Sequence, residues 1–116
     1  MVEKSKAFIL WFNELGIEDV GLVGGKNASL GEMYRNLTKN GIRIPNGFAV
    51  TAHAYYYLLE KCAIKEDIKK ILKGLNVRKV IDLEERGTKI RTLIKNAQFP
   101  AELTSAIIAS YKKLCK

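Results

Sequence analysis

Residues 20–33, VGLVGGKNASLGEM, set two adjacent glycines and a lysine, Gly24-Gly25-Lys26, directly before a helical pattern. At such a junction glycine lets the backbone take a positive φ and approach a ligand closely. The free N–H groups of a first helical turn and the helix dipole favour negative charge, so phosphate is the natural guest. Lys26 adds a mobile point charge that can reach phosphate oxygens beyond the backbone's range. Spacing alone leaves two readings open. A Walker A loop reads G-x-x-x-x-G-K-[ST], whereas Gly21, Gly25 and Lys26 are spaced differently and Asn27 stands where Ser or Thr belongs. A G-x-G-x-x-G dinucleotide fingerprint is absent too. The junction is either a phosphate site or a structural glycine turn carrying an exposed lysine.

Other chemically capable residues point nowhere so specific. The single histidine, His53 in TAHAYYYLLE, reads as a surface or satisfied helix residue rather than a ligand. Cys62 and Cys115 form no C-x-x-C pair and lack the histidines of a zinc site or a nucleophilic dyad, so two reduced, partly buried thiols are expected. Lysine and arginine number 20 against 12 acids, a net charge of +8 that favours any anionic partner. The basic residues recur through KEDIKKILKG, VRKVIDLEERGTKIRTLIK and YKKLCK, interleaved with acids and apolar positions at helical spacing. They read as solvated helix faces, and no nucleic-acid partner is expected. The rival reading, a small basic module that docks nucleic acid or an acidic protein, rests on the charge alone.

The elements that position the junction follow from periodicity. Residues 7–12, AFILWF, form an apolar run that predicts a buried strand. From Asn27, Leu30, Met33, Tyr34 and Leu37 fall at helical spacing until Gly41 stops them. Pro45-Asn46-Gly47 predicts a tight turn feeding a strand through Phe48, Ala49 and Val50. Thr51 suits an N-cap, with Ala52, Tyr55, Tyr56 and Leu59 as the buried stripe of the next helix. The first half is therefore β-α-β-α.

Beyond it only helices are expected. One carries Ile64, Ile68, Ile71, Leu72 and Leu75 up to Gly74 and Asn76; another carries Val80, Leu83, Gly87, Ile90 and Ile94. Pro100 is suited to the first position of a last helix, with Leu103, Ile107, Tyr111 and Leu114 as its stripe. The fold class is α+β, with short strands, about five helices and half or more of the residues helical. The 116 residues suffice for one domain. No segment has the roughly 18 consecutive apolar residues of a membrane helix, and the N-terminus lacks a signal-type apolar region, so a cytoplasmic chain with no membrane partner is expected.

Three stretches in register, LWFNELG, VGGKNASLGEM and IPNGFAVTAHAY, resemble the N-terminus of the family that contains phosphoenolpyruvate synthase and pyruvate phosphate dikinase. The similarity continues through IRTLIKNAQFPAELTSAI and so covers essentially the whole chain. Asn27 and the context of Trp11 are closer to the synthase branch than to the dikinase branch. The resemblance implies that residues 1–116 are the opening part of an ATP-grasp-type nucleotide-binding domain in a larger multidomain enzyme. It puts ATP phosphate contact on Lys26, with Gly24 and Gly25 as the backbone that permits the approach. The reaction it implies takes ATP, pyruvate and water to AMP, phosphoenolpyruvate and phosphate through a phosphohistidine, with Mg2+. The phosphohistidine, the Mg2+ ligands and the acceptor site are expected outside these residues, so the segment alone should be inactive and His53 is not promoted to catalyst. A family member with another phosphoryl acceptor fits the same residues. The expected partners are a nucleotide and the remaining domains; without them, exposed apolar surface should favour self-association.

Overall fold

The computed structural model describes residues 3–116, which divide into two compact units: residues up to Tyr57 together with Ala101–Lys116, and Leu58–Pro100. The first unit is built on a two-stranded antiparallel sheet, β1 (Ile9–Trp11) and β2 (Phe48–Val50), with Ile9 opposite Val50, Leu10 opposite Ala49 and Trp11 opposite Phe48. Two further bonds lengthen the ladder, from the Phe12 N–H to the Gly47 carbonyl at 2.9 Å and from the Thr51 N–H to the Phe8 carbonyl at 3.0 Å. β2 occupies the predicted residues, whereas β1 is half the length of the apolar run that predicted it. The chain leaves β1 at Phe12–Glu14, a 3-10 turn in which the Glu14 carboxylate accepts the Trp11 N–H at 2.8 Å.

The period-2 alternation of a strand explains the core. Leu10 and Ala49 point inward onto Leu15, and Ala7, Phe12, Leu22 and Val23 pack around them. On the other face Trp11 meets Phe48 at 5.3 Å between ring centroids, and the Lys113 ammonium lies 5.3 Å from the Trp11 ring. Gly47 is required by the packing, because a Cβ there would lie 2.7 Å from the Phe12 ring.

After a 3-10 turn at Ile17–Asp19 come the single-turn helix α1 (Val20–Val23) and the long helix α2 (Gly25–Thr38). Gly41, at φ +81°, follows the end of α2 as the predicted stop. The fully buried residues of α2 are the small Ala28 and Gly31; of the predicted stripe Leu30, Tyr34 and Leu37 are half-buried and Met33 is 40% exposed. Helix α3 (Ala52–Lys61) starts as predicted, its N-cap Thr51 accepting the Ala54 N–H at 3.1 Å and donating to the Ala7 carbonyl. Its buried stripe differs from the expected one. Ala54 and Leu58 are buried beside the expected Leu59, whereas Tyr55 and Tyr56 are exposed, their rings in tilted contact with each other.

Helix α4 (Lys65–Leu72) and helix α5 (Val80–Asn96) form the second unit, with Ile64 buried and Ile68, Ile71, Ile90, Leu93 and Ile94 half-buried. Leu72, Val80 and Leu83 of the predicted stripes are exposed. Arg86 ties the two helices. It donates to the Asp82 carboxylate at 2.9 Å, to the Ile71 carbonyl at 2.9 Å and to the Lys73 carbonyl, so it caps the end of α4. Asp82 also accepts the Asn76 N–H at 3.1 Å, and this bond with the Arg86 pairing holds its carboxyl below the ordinary value.

The last helix, α6 (Ala101–Leu114), returns to the first unit and follows Pro100, one residue later than predicted. Leu103 is fully buried, but Tyr111 and Leu114, placed on the same stripe by sequence, are exposed. Cys62 is half-buried and donates its S–H to the Gln98 carbonyl at 3.0 Å; Cys115, expected to be partly buried, is exposed. Among the described residues, six α-helices, five of them longer than one turn, and two short strands make an α+β arrangement that is more than half helical.

Candidate functional site

The Gly24-Gly25-Lys26 junction joins two helices rather than a strand and a helix. Gly24 sits between α1 and α2 with φ +84° and ψ 162°, a region essentially closed to residues with a Cβ. Conformation rather than space demands glycine there, since a Cβ would meet nothing within 4 Å at either Gly24 or Gly25. The Gly24 N–H ends α1 by bonding the Val20 carbonyl at 2.8 Å, and the Gly24 carbonyl starts α2 by accepting the Ala28 N–H at 3.1 Å. The N–H groups of Gly25, Lys26 and Asn27 therefore belong to the first turn of α2, where no carbonyl precedes them along the helix.

These three donors open onto an uncrowded surface with the positive end of a 14-residue helix behind them. Lys26 is exposed and makes no ion pair or hydrogen bond with other described residues, so its ammonium is available to an anion. Backbone donors, an open approach and a free cation fit a phosphate group. Grooves of about 410 to 750 Å³ elsewhere on the described surface are lined by other residues. Among the described residues no cluster of three His, Cys, Asp or Glu side chains could hold a metal ion.

Asn27, which sequence spacing marked only as a departure from the Walker pattern, has a definite place. Its side-chain amide donates to the Val23 carbonyl at 3.0 Å, across the Gly24 break. The remaining supports lie one helical turn and more away. Gly31 faces Leu15 so closely that a Cβ would come within 2.4 Å of the Leu15 Cβ. Glu32 accepts the Ile17 N–H at 3.0 Å and the Asn36 amide at 3.1 Å, and Arg35 donates to the Leu15 carbonyl at 3.4 Å. Asp19, buried, accepts the Gly16 N–H and the Lys4 ammonium, each at 3.0 Å. Burial pushes the Asp19 carboxyl up, but the Gly16 N–H, the Lys4 charge and the Arg35 charge outweigh it and hold the group below its ordinary value.

Sequence reasoning missed Gly31, Glu32 and Asp19. The signal for Asp19 was its position three residues after Gly16, the spacing at which a carboxylate closes a turn onto a backbone N–H. Nothing local marked Gly31, because the reason for it, Leu15, lies 16 residues earlier. His53 lies in α3 with its ring stacked on Phe8 at 5.7 Å, in a packing role.

Residues 20–116 match the family model described as pyruvate phosphate dikinase, AMP/ATP-binding domain. The chain is 51% identical over 97% of its length to the phosphoenolpyruvate synthase of Aquifex aeolicus. It is 43% identical over 100% of its length to that of Synechocystis sp., and 42% identical over 95% to that of Escherichia coli. It spans about 13 to 14% of the length of these relatives. The family match begins at Val20, so the glycine-lysine junction and the helix it opens lie inside the matched domain. On this match the chain belongs to the pyruvate phosphate dikinase family, within its AMP/ATP-binding domain.

Proposed function

We propose that this chain is the opening part of the ATP-binding domain of a phosphoenolpyruvate synthase, one segment of a multidomain cytoplasmic enzyme. That enzyme would take ATP, pyruvate and water to AMP, phosphoenolpyruvate and phosphate through a phosphohistidine. The observation that carries the reading is the coincidence of the nucleotide-binding family match over residues 20–116 with an open, cationic helix start at Gly24-Gly25-Lys26. In this role Gly24 turns the chain, Gly25 leaves the approach unobstructed, and Lys26 with the first N–H groups of α2 holds ATP phosphate oxygens. Charge on the phosphates is neutralised from one side; the opposite side, the magnesium carboxylates and the phosphohistidine come from other parts of the enzyme. The domain would be of ATP-grasp type. Separated from its partners, the segment would be inactive and inclined to self-associate, its exposed Val77, Val80 and Ile81 being the kind of apolar surface that a neighbour covers.

Chemical analysis of products tests the reading. The longer polypeptide carrying this segment, given ATP, magnesium and pyruvate, is expected to yield phosphoenolpyruvate and AMP. ATP consumption that leaves pyruvate unchanged would show a different acceptor, and no nucleotide use at all would overturn the assignment.

A further inference from the structure

The Gly24 turn is fixed at three points. Its N–H is held by the Val20 carbonyl at 2.8 Å, and its C=O is held by the Ala28 N–H at 3.1 Å. The peptide before it is held by the Asn27 amide, which donates to the Val23 carbonyl at 3.0 Å. The first two are main-chain bonds that involve no side chain; the third depends on the side chain at 27. Glycine is the most mobile of residues when unrestrained, and two of them stand in succession here. The Val23 carbonyl would otherwise be an unpaired helix-end acceptor beside the anion site, its partial negative charge directed by solvent alone.

We propose that Asn27 is the positioning residue of this phosphate anchor. Its amide locks the Val23–Gly24 peptide, sets the direction of the Gly25 and Lys26 N–H groups and draws the Val23 carbonyl away from an approaching anion. The amide hydrogen that reaches Val23 serves the backbone, and phosphate contact is assigned to the Gly25 and Lys26 N–H groups and the Lys26 ammonium. This explains a side-chain amide where a Walker loop has a hydroxyl: the hydroxyl there serves a metal ion, whereas the amide here serves the backbone. The inference rests on the proposed phosphate role of the junction and adds to it the residue that shapes it.

The test is amide-resolved NMR of the 116-residue chain, titrated with inorganic tripolyphosphate into the millimolar range. Wild type, Asn27→Ala, Asn27→Asp and Lys26→Ala are compared. In the wild type the Gly25 and Lys26 amides should shift on titration and be as ordered as the body of α2. Asn27→Ala should leave α2 protected beyond Leu30, lower the order of the Gly24–Lys26 amides, and weaken tripolyphosphate binding about three- to tenfold, the scale of one hydrogen bond. Asn27→Asp should lose the same order and weaken binding further, the extra loss being removed by salt. Unchanged order and unchanged affinity in Asn27→Ala, with Lys26→Ala weakened, would overturn the positioning role and leave the anchor intact. No shift at Gly25 and Lys26 in the wild type would overturn the anchor itself, and the positioning role with it.

Discussion

A few side chains decide whether α2 starts where it does. Gly31→Ala would drive a methyl to within 2.4 Å of the Leu15 Cβ at a fully buried contact, so one of the two segments must move. The expected cost is about 1 to 3 kcal/mol, the usual scale for overpacking, measurable as a lowered midpoint in thermal or denaturant unfolding. Unchanged stability would mean that the contact is softer than its geometry. Asp19 gives a pH signature. Its folded carboxyl titrates below the ordinary aspartate value, so the stabilisation is present above the unfolded value and is lost as pH falls through the folded one. Stability should therefore decline below about pH 4, and Asp19→Asn should flatten that decline while costing stability at neutral pH. Equal slopes for the two proteins would contradict the assignment. The positive φ of Gly24 and the helix start behind it were legible in the sequence, because their logic is local. Asn27, Gly31 and Glu32 act through the Val23 carbonyl, Leu15 and Ile17, and that pairing exists only after folding.

At the scale of elements, punctuation was read more accurately than burial. The Thr51 cap and the Gly41 and Gly74 stops set boundaries through backbone conformation, which the residue itself carries, whereas the tight turn expected at Pro45-Asn46-Gly47 is replaced by irregular backbone leading into β2. Which face of a helix is buried depends on its neighbours. On α3 the small Ala54 is fully buried while Tyr55 and Tyr56 are exposed, and on α2 the buried residues are the small Ala28 and Gly31. Strand β1 stops at Trp11 because the chain then turns into the 3-10 helix Phe12–Glu14, whose Glu14 carboxylate accepts the Trp11 N–H. Thr51→Ala should cost about 1 kcal/mol, the loss of an N-cap, with a further loss from its bond to Ala7. Thr51→Ser keeps both bonds and should restore most of that stability. Urea titrations of the pair would show it, and equal destabilisation by serine and alanine would assign the effect to the threonine methyl.

The whole molecule carries more apolar surface than its own packing uses. In the second unit Val77, Val80 and Ile81 are 65 to 73% exposed, and in the first Tyr56 and Tyr111 are more than half exposed. Fluorescence of an apolar dye should rise on adding the chain, and light scattering should show concentration-dependent association despite the +8 charge. A dye-silent monomer at every concentration would mark the units as self-sufficient. The α+β class and the nucleotide-binding family were legible at this scale, since periodicity and linked motifs span the chain; the division into two units was not, because it depends on which helices meet.

The central claim is that the Gly24-Gly25-Lys26 junction anchors ATP phosphate, and the longer enzyme carrying this segment tests it most directly. The measurement is kcat/KM for ATP in wild type and Lys26→Ala at fixed magnesium and pyruvate. A charged hydrogen bond to phosphate in a partly desolvated site is worth about 1.5 to 3 kcal/mol, so a fall of roughly 10- to 150-fold is expected, with the fold and the apparent affinity for pyruvate retained. A Lys26→Ala enzyme that uses ATP as well as the wild type would contradict the account.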